Sequence, residues 1–147
     1  MLSSERVLVG RPAAWNRPAV WLCLAVACFL GTFAAYAVGV FHIAGGVIFI
    51  PGEAALVGLV AATLVGLARG GAVPGWLLAA ASLYGYRADH AFLGLSGRTL
   101  AEQTAYFLGV EGLVVLAVQG VVIGTLAVAV GALARAGMDA VSEAATA

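Results

Sequence analysis

The chain has 147 residues, of which 63% are hydrophobic and only 10% are charged, and its seven basic residues balance seven acidic ones. A mean hydropathy of +1.07 leaves too little polar surface for one water-soluble domain of this length, and the length excludes two. The zero net charge gives no indication of nucleic-acid binding. We therefore expect an all-α membrane protein that lies in a lipid bilayer.

Four long stretches of the sequence contain no Asp, Glu, Lys or Arg, namely residues 18–52, 54–68, 70–86 and 112–134. A helix that crosses a bilayer needs about 20 predominantly apolar residues. The sequence therefore predicts a small polytopic bundle of four transmembrane helices within residues 18–135, with spans at about 19–41, 48–68, 74–94 and 110–134. Residues 1–17 form an arginine-containing arm before the first span, and residues 136–147 form a short tail.

The arginines indicate how the four spans are oriented. Five of them fall on one side of the membrane and only two, Arg87 and Arg98, on the other; the five are Arg6, Arg11, Arg17, Arg69 and Arg135. Because basic residues accumulate in cytoplasmic loops, both termini are expected in the cytoplasm of a multi-pass cell-membrane protein. All three Trp residues fall towards the arginine-rich side and all four Tyr residues towards the other.

The third and fourth spans leave a second topology open. Arg87, Asp89 and His90 interrupt the third span, so residues 74–108 are alternatively a re-entrant or interfacial segment, which would put the C-terminus outside. Thr99 and Glu102 have the spacing of a capping box, which predicts a helix start at Thr99. A helix from there to Arg135 would be about 54 Å long against a hydrocarbon core of about 30 Å. Its first turns therefore project, lie in the interface or bend at Gly109 or Gly112.

Glycine-rich helix faces are the predicted packing surfaces. Lipid offers no hydrophobic drive for helix association, so close approach through small residues has to supply much of it. The residues assigned to helix packing are Gly58 and Gly66 in the second span and Gly109, Gly120, Gly124 and Gly131 in the fourth. These faces are expected to meet each other, or a second copy of the chain or another membrane protein.

Polar residues are predicted to gather at the non-cytoplasmic end of the bundle: His42, Glu53, Asp89, His90, Glu102 and Glu111. Ionisable groups at membrane depth are often functional, and a mixture of imidazole and carboxylate suits a metal, a haem or a quinone. The candidate cofactor ligands are His42 and His90, and the candidate metal ligands are these two histidines with Glu111 and Glu53.

Each of these residues also has an explanation without a ligand. Glu53 and Glu102 fit the first turn of a helix, where free N–H groups favour a carboxylate. Asp89 is expected to be solvated in a loop or to reach the headgroups. Glu111 is placed a turn or more inside the last helix, either interfacial or paired with Arg87, Arg98 or His90. We therefore predict no cofactor, and keep haem or metal as the alternative.

No catalytic signature occurs in the sequence. The leading hypothesis is therefore a non-catalytic accessory or assembly subunit of the membrane. The alternatives are a haem-, quinone- or metal-binding membrane protein and a small proton-linked transporter or channel that titrates Glu111. Transport is disfavoured because the middles of the four runs carry only Thr32, Thr63, Ser82, Gln119 and Thr125.

Overall fold

The computed structural model describes residues 7–8, 18–42 and 50–146. Most of the predicted arm, with Arg6, Arg11 and Arg17, lies outside the described residues, as does the predicted start of the second span. The described chain is all-helical, which confirms the all-α part of the predicted class. Its elements are α1 (Pro18–Ala37), α2 (Gly52–Leu67), α3 (Ala72–Asp89), a π-helical turn (His90–Gly94), α4 (Leu100–Phe107) and α5 (Val110–Thr146).

Among the residues that the structure describes, two helical stretches are long and apolar enough to cross a membrane by length and composition, Pro18–Ala37 and Leu100–Thr146. Helix α2 is equally apolar but has 16 residues. Each of the four predicted spans thus corresponds to one long helix, and two of these four helices reach the dimensions of a membrane span.

Proline and glycine set several helix boundaries. Pro18 begins α1 and Pro51 is the N-cap of α2, positions where the missing N–H of proline costs nothing. Gly71, the N-cap of α3, has a φ of 82°, which a residue with a Cβ rarely adopts. Between α2 and α3, Arg69 also has a positive φ, of 61°. This turn is therefore tight, and it places the Arg69 side chain beside the end of α5.

Helix α3 is the centre of the structure and packs against α1, α2 and α5. Along α1, Ala25 shares a core cluster with Leu78 and Tyr36 shares one with Leu83, so α1 and α3 run parallel. Helix α5 runs the other way, because Gly120 lies against Ala80 whereas Gly124 lies against Gly75.

Helix α2 is likewise antiparallel to α3, since Gly58 lies against Ser82 and Ala62 lies near Gly75. The four long helices therefore alternate in direction. One end of the structure, here called the Arg69 end, holds the start of α1, the α2–α3 turn and the far part of α5. The opposite end, here called the His90 end, holds the end of α1, the start of α2, the π-turn and α4.

The last helix is interrupted at Leu108 and Gly109, which agrees with one of the alternatives given for it, a bend at Gly109. Helix α4 is therefore a separate helix of eight residues that begins at the predicted capping box. The far end of the last helix differs from the prediction. After this break α5 continues for 37 residues, about 55 Å, and includes most of the region predicted as a tail. No described residue of α5 beyond Gly131 is buried.

Candidate functional sites at the two ends of the helices

At the His90 end, Glu53 lies in the first turn of α2, as predicted, and it also has a partner in another helix. The hydroxyl of Tyr36, near the end of α1, donates a hydrogen bond to Glu53 Oε2 at 3.2 Å. Tyr36 is 7% exposed, so this bond joins α1 to α2 at the margin of the core. The carboxylate thus lies where the helix dipole favours a negative charge, and it also accepts a hydrogen bond from a neighbouring phenol.

A series of aromatic rings continues from Tyr36 across the His90 end. The Tyr36 ring lies 5.1 Å from the Tyr86 ring, the Tyr86 ring lies 6.1 Å from His90, and His90 lies 5.7 Å from Tyr106. These centroid distances lie within the range of favourable aromatic pairs. Rings from α1, α3, the π-turn and α4 therefore form one continuous contact.

His90 is the centre of this series and the first residue of the π-helical turn. Its Nδ1 is buried and has no hydrogen-bond partner among the described residues. The turn also brings Gly94 back onto the ring, because a Cβ at Gly94 would lie 3.1 Å from Nδ1. π-helical turns occur frequently at functional sites. Of the predicted ligand residues, His90 is therefore the one whose backbone and buried ring nitrogen most resemble those of a functional site.

His42 lies in different surroundings from His90. It follows α1 and is exposed, and within the described ranges no ring contact or hydrogen bond joins it to His90. In those ranges there is also no group of three or more His, Cys, Asp or Glu side chains arranged to hold a metal ion. The predicted ligand set of His42, His90, Glu53 and Glu111 is therefore spread over this end of the structure.

Two residues at this end lie in surroundings that differ from the sequence prediction. Asp89, expected in solvent or at the headgroups, is buried with 6% exposure at the end of α3. Glu111 lies in the first turn of α5, after the break at Gly109, and not a turn or more inside the last helix, while the interfacial alternative given for it stays a prediction. Glu111 is exposed and has no ion pair within the described residues, so the free N–H groups of that turn explain a carboxylate there.

Arg87 connects α3 to the end of α4. Its Nε donates to the carbonyl oxygen of Phe107 at 3.1 Å, and its guanidinium also donates to the carbonyl oxygen of Tyr106. The same guanidinium lies 4.6 Å from the centre of the Tyr106 ring. A cation at a helix C-terminus satisfies carbonyls that have no partner inside the helix. Tyr84 adds a hydrogen bond from its hydroxyl to the Phe107 oxygen at 3.1 Å.

Glu102 has the capping role that its spacing predicted. Its Oε2 accepts hydrogen bonds from the Thr99 N–H at 2.9 Å and the Thr99 hydroxyl at 3.1 Å, while Thr99 Oγ1 accepts from the Glu102 N–H. The hydrogen bond from the Thr99 N–H has the largest effect on the pKa of Glu102, and together with the bond from the Thr99 hydroxyl it holds that pKa below its usual value. Glu102 lies before the predicted fourth span, and its carboxylate stabilises the N-terminus of α4.

The polar residues in the middles of the helices are mostly bonded within their own helix. The hydroxyls of Thr63 and Thr125 donate to the carbonyl four residues earlier, and that of Ser82 to the carbonyl three residues earlier. Among the described residues, only the buried oxygens of Thr32 and Gln119 in these runs have no partner.

The Arg69 end holds an ion-paired group formed by α5 and the α2–α3 turn. Arg69 Nη2 lies 2.7 Å from Asp139 Oδ2, and Arg135 Nε lies 3.1 Å from Asp139 Oδ1. Partial burial raises the pKa of Asp139, but the hydrogen bonds and charges of the two arginines outweigh it and leave the pKa below its usual value. Two guanidinium groups thus share one carboxylate, and one positive charge is left over.

A groove of about 530 Å³ lies beside this ion-paired group. Its floor consists of small and apolar side chains of α2, α3 and α5, among them Gly66, Ala72, Val128, Ala129 and Ala132. Arg69, Arg135 and Asp139 line its polar margin. The groove therefore combines an apolar floor with a cationic rim, and neither the groove nor its rim was predicted as a site from the sequence.

The predicted packing glycines lie at close contacts inside the chain. Gly58 faces α3, Gly66 and Gly131 lie in the contact between α2 and α5, and Gly120 and Gly124 face α3. Gly109 is different, because it lies in the break before α5 beside the Arg87 guanidinium. The faces proposed for self-association are thus covered by other helices of the same chain.

Sequence reasoning missed the tyrosine contacts and the role of Arg87, although one signal was present. All four Tyr residues had been located towards one side. In the structure two of them, Tyr36 and Tyr84, donate hydrogen bonds to other helices at that end. Comparison of the chain with protein-family models, with curated proteins and with solved structures found no match.

Proposed function

We propose that the chain is a multi-pass integral membrane protein with both termini in the cytoplasm, and that it serves as a non-catalytic accessory or assembly subunit. The observation that carries the membrane location is the outer surface of the helices. Large apolar side chains project outward all along α1 and α5, among them Leu22, Leu30, Val118, Val122, Leu126 and Leu133, each more than half exposed. Such a continuous apolar surface is stable in lipid and unfavourable in water.

The alternating directions of the helices support four crossings rather than three. Arg69 and Arg135 lie together at one end because α2 and α5 both finish there. Arg87 lies at the opposite end. Since the three arginines of the N-terminal arm precede α1, which starts at the Arg69 end, the positive-inside rule favours that end as cytoplasmic.

The assembly role is supported by how the chain uses its polar and small residues. The glycines bring helices together, the hydroxyls of Thr63, Ser82 and Thr125 bond to their own helices, and Arg87 and Glu102 complete helix ends. What is left for a partner is the last part of α5, where Met138 and Val141 are 53% and 71% exposed. A helix that continues past its neighbours with apolar side chains suits a protein partner near the membrane surface.

Cysteine labelling tests the topology. In a Cys23→Ala/Cys28→Ala background, single cysteines at Ser3, Ser96 and Ala145 are probed in intact cells and in opened cells with a membrane-impermeant maleimide. We expect only Ser96→Cys to react in intact cells, and all three to react in opened cells. Labelling of Ala145→Cys but not of Ser3→Cys in intact cells would contradict the even number of crossings. A detergent-purified protein that is always a lone monomer would contradict the assembly role.

The second candidate is a haem, quinone or metal site at the His90 end. It is favoured by one observation, the buried Nδ1 of His90 that has no hydrogen-bond partner in the described part of the chain. An absorption spectrum and a metal analysis of the purified protein test this candidate. A colourless, metal-free protein whose spectrum and stability do not respond to added haem or quinone would exclude it.

A further inference from the structure

We propose that the groove at the Arg69 end binds an anionic phospholipid, with the lipid phosphate at Arg69 and Arg135 and an acyl chain along the apolar floor. This inference rests on the membrane location proposed above. It assigns a ligand to a surface that the accessory role does not itself require.

The charges at the rim are complementary to a phosphate. Arg69 and Arg135 supply two positive charges and Asp139 one negative charge, so the rim has an excess of one positive charge. Both arginine side chains remain about half accessible, at 43% and 44% of their surface. Each uses a single nitrogen for Asp139, and a guanidinium has five N–H donors in a planar fork. The remaining donors can bind phosphate oxygens in pairs.

The floor of the groove suits a hydrocarbon chain. It lies between α2, α3 and α5, and its small side chains at Gly66, Ala72, Val128, Ala129 and Ala132 offer no hydrogen-bonding group. Val7 and Thr125 also line the groove, and the Thr125 hydroxyl is already used, because it donates to the Val121 carbonyl oxygen and accepts from Trp76 Nε1. Small side chains leave a hollow of about 530 Å³ where larger ones would fill the space. In the proposed membrane location, a lipid tail fills such an apolar hollow at the lowest cost.

The depth of the groove distinguishes an amphiphile from a soluble anion. Arg135 immediately follows the charge-free run 112–134, and Arg69 follows the charge-free run 54–68. The two arginines therefore lie at the level where headgroups meet acyl chains, and basic residues between helices at this level attract anionic headgroups. Free phosphate would contact the arginines alone, whereas a phospholipid covers both the rim and the floor.

Thermal unfolding of the full-length protein in a nonionic detergent tests the proposal. Phosphatidylglycerol, phosphatidylcholine and water-soluble glycerol phosphate are added separately at equal concentrations. We expect phosphatidylglycerol to raise the unfolding temperature by about 5 °C more than phosphatidylcholine near saturation, and glycerol phosphate to have no effect. Equal stabilisation by the two lipids would overturn the proposal, as would an effect of glycerol phosphate equal to that of phosphatidylglycerol.

Three variants assign the effect to the groove. Arg69→Gln/Arg135→Gln should lose the preference for phosphatidylglycerol, and Arg98→Gln, a matched change at the other end, should keep it. Asp139→Asn leaves both arginines without their carboxylate and should keep or increase the preference. Loss of the preference in Asp139→Asn or in Arg98→Gln would overturn the assignment. If the double variant does not fold, Arg135→Gln alone replaces it. The preference for phosphatidylglycerol should then be reduced rather than lost.

These outcomes are separable from failure of the membrane location. A protein that remains monodisperse in buffer without detergent would refute the location itself. A protein that needs detergent and does not distinguish the two lipids would refute only the lipid site.

Discussion

The guanidinium of Arg87 occupies the space that a Cβ at Gly112 would fill. From that position it donates to the carbonyl oxygens of Tyr106 and Phe107 at the end of α4. The absence of a side chain at Gly112 therefore allows an arginine of α3 to hold the connection between α4 and α5. Neither residue reveals this relationship in the sequence, because 25 positions separate them.

Gly112→Ala should displace the Arg87 side chain and break its bonds to these carbonyls. Hydrogen bonds of charged groups contribute about 1.5–3 kcal/mol each, and partial re-solvation of the guanidinium will offset part of the loss. We expect the free energy of unfolding to fall by about 1–2 kcal/mol, measured by denaturant or thermal unfolding in detergent. In an Arg87→Met background the same glycine substitution should have little effect. Equal effects in the two backgrounds would show that Gly112 acts independently of Arg87.

Gly131→Ala should be more damaging, because the added methyl group meets backbone. Its Cβ would overlap the Thr63 carbonyl oxygen and approach Leu67 N at 2.9 Å, so α2 and α5 would have to separate. Overpacking of this kind destabilises by about 1–3 kcal/mol or more. Gly137→Ala is the matched control on the same helix, since nothing lies within 4 Å of its Cβ. It should be neutral or stabilising by up to about 1 kcal/mol.

These two variants are compared by their unfolding temperatures and by the yield of folded protein in detergent. A Gly131→Ala protein as stable as Gly137→Ala would mean that the contact between α2 and α5 is looser than the structure indicates.

The prediction that ionisable residues lie at one end of the helices could be made from simple sequence features. The charge-free runs located the helices, and their short connections forced neighbouring helices to run in opposite directions. Glu53 and Glu102 were placed in helix first turns by Pro51 and by the capping box, both of which act within a few residues. Local interactions of this kind can be deduced from the sequence alone.

The surroundings of other residues depended on contacts far apart in the chain. Asp89 is buried in the packed structure, and the Arg87 guanidinium of α3 lies at Gly109 and Gly112, where α4 passes into α5. The groove arises where α2, α3 and α5 meet at small residues, although the glycine pattern suggested a closed seam. The helical spacing of the glycines and the amino-acid composition indicated which helix faces carry small residues. They did not indicate which neighbouring helix covers each part of those faces.

Tyr36→Phe tests the bond between α1 and α2 while keeping the aromatic packing. The phenylalanine ring retains the contacts with Phe41 and Tyr86, at 5.2 and 5.1 Å, and loses only the hydroxyl that donates to Glu53. Side-chain hydrogen bonds between membrane helices contribute about 0.6 kcal/mol on average, so we expect a loss near that value. Glu53→Gln should lose less, because the amide oxygen still accepts the bond. If Tyr36→Phe destabilises as strongly as Tyr36→Ala, the hydroxyl rather than the ring holds α1 in place.

Asp139 should make the stability of the Arg69 end depend on pH, and the sign follows from its pKa. Its folded-state pKa lies below the value of about 3.9 expected in the unfolded chain, because Arg69 and Arg135 outweigh the opposing effect of burial. The stabilisation is therefore complete above the unfolded pKa and disappears as the pH falls through the folded pKa. The unfolding temperatures of wild type and Asp139→Asn should differ slightly at pH 6 and converge in strong acid. Glu143→Gln, one turn further along α5 and outside any ion pair of the described residues, should show no such pH-dependent difference. A difference between wild type and Asp139→Asn that grows as the pH falls would contradict the sign, and would mean that the protonated carboxyl group is the one the fold prefers.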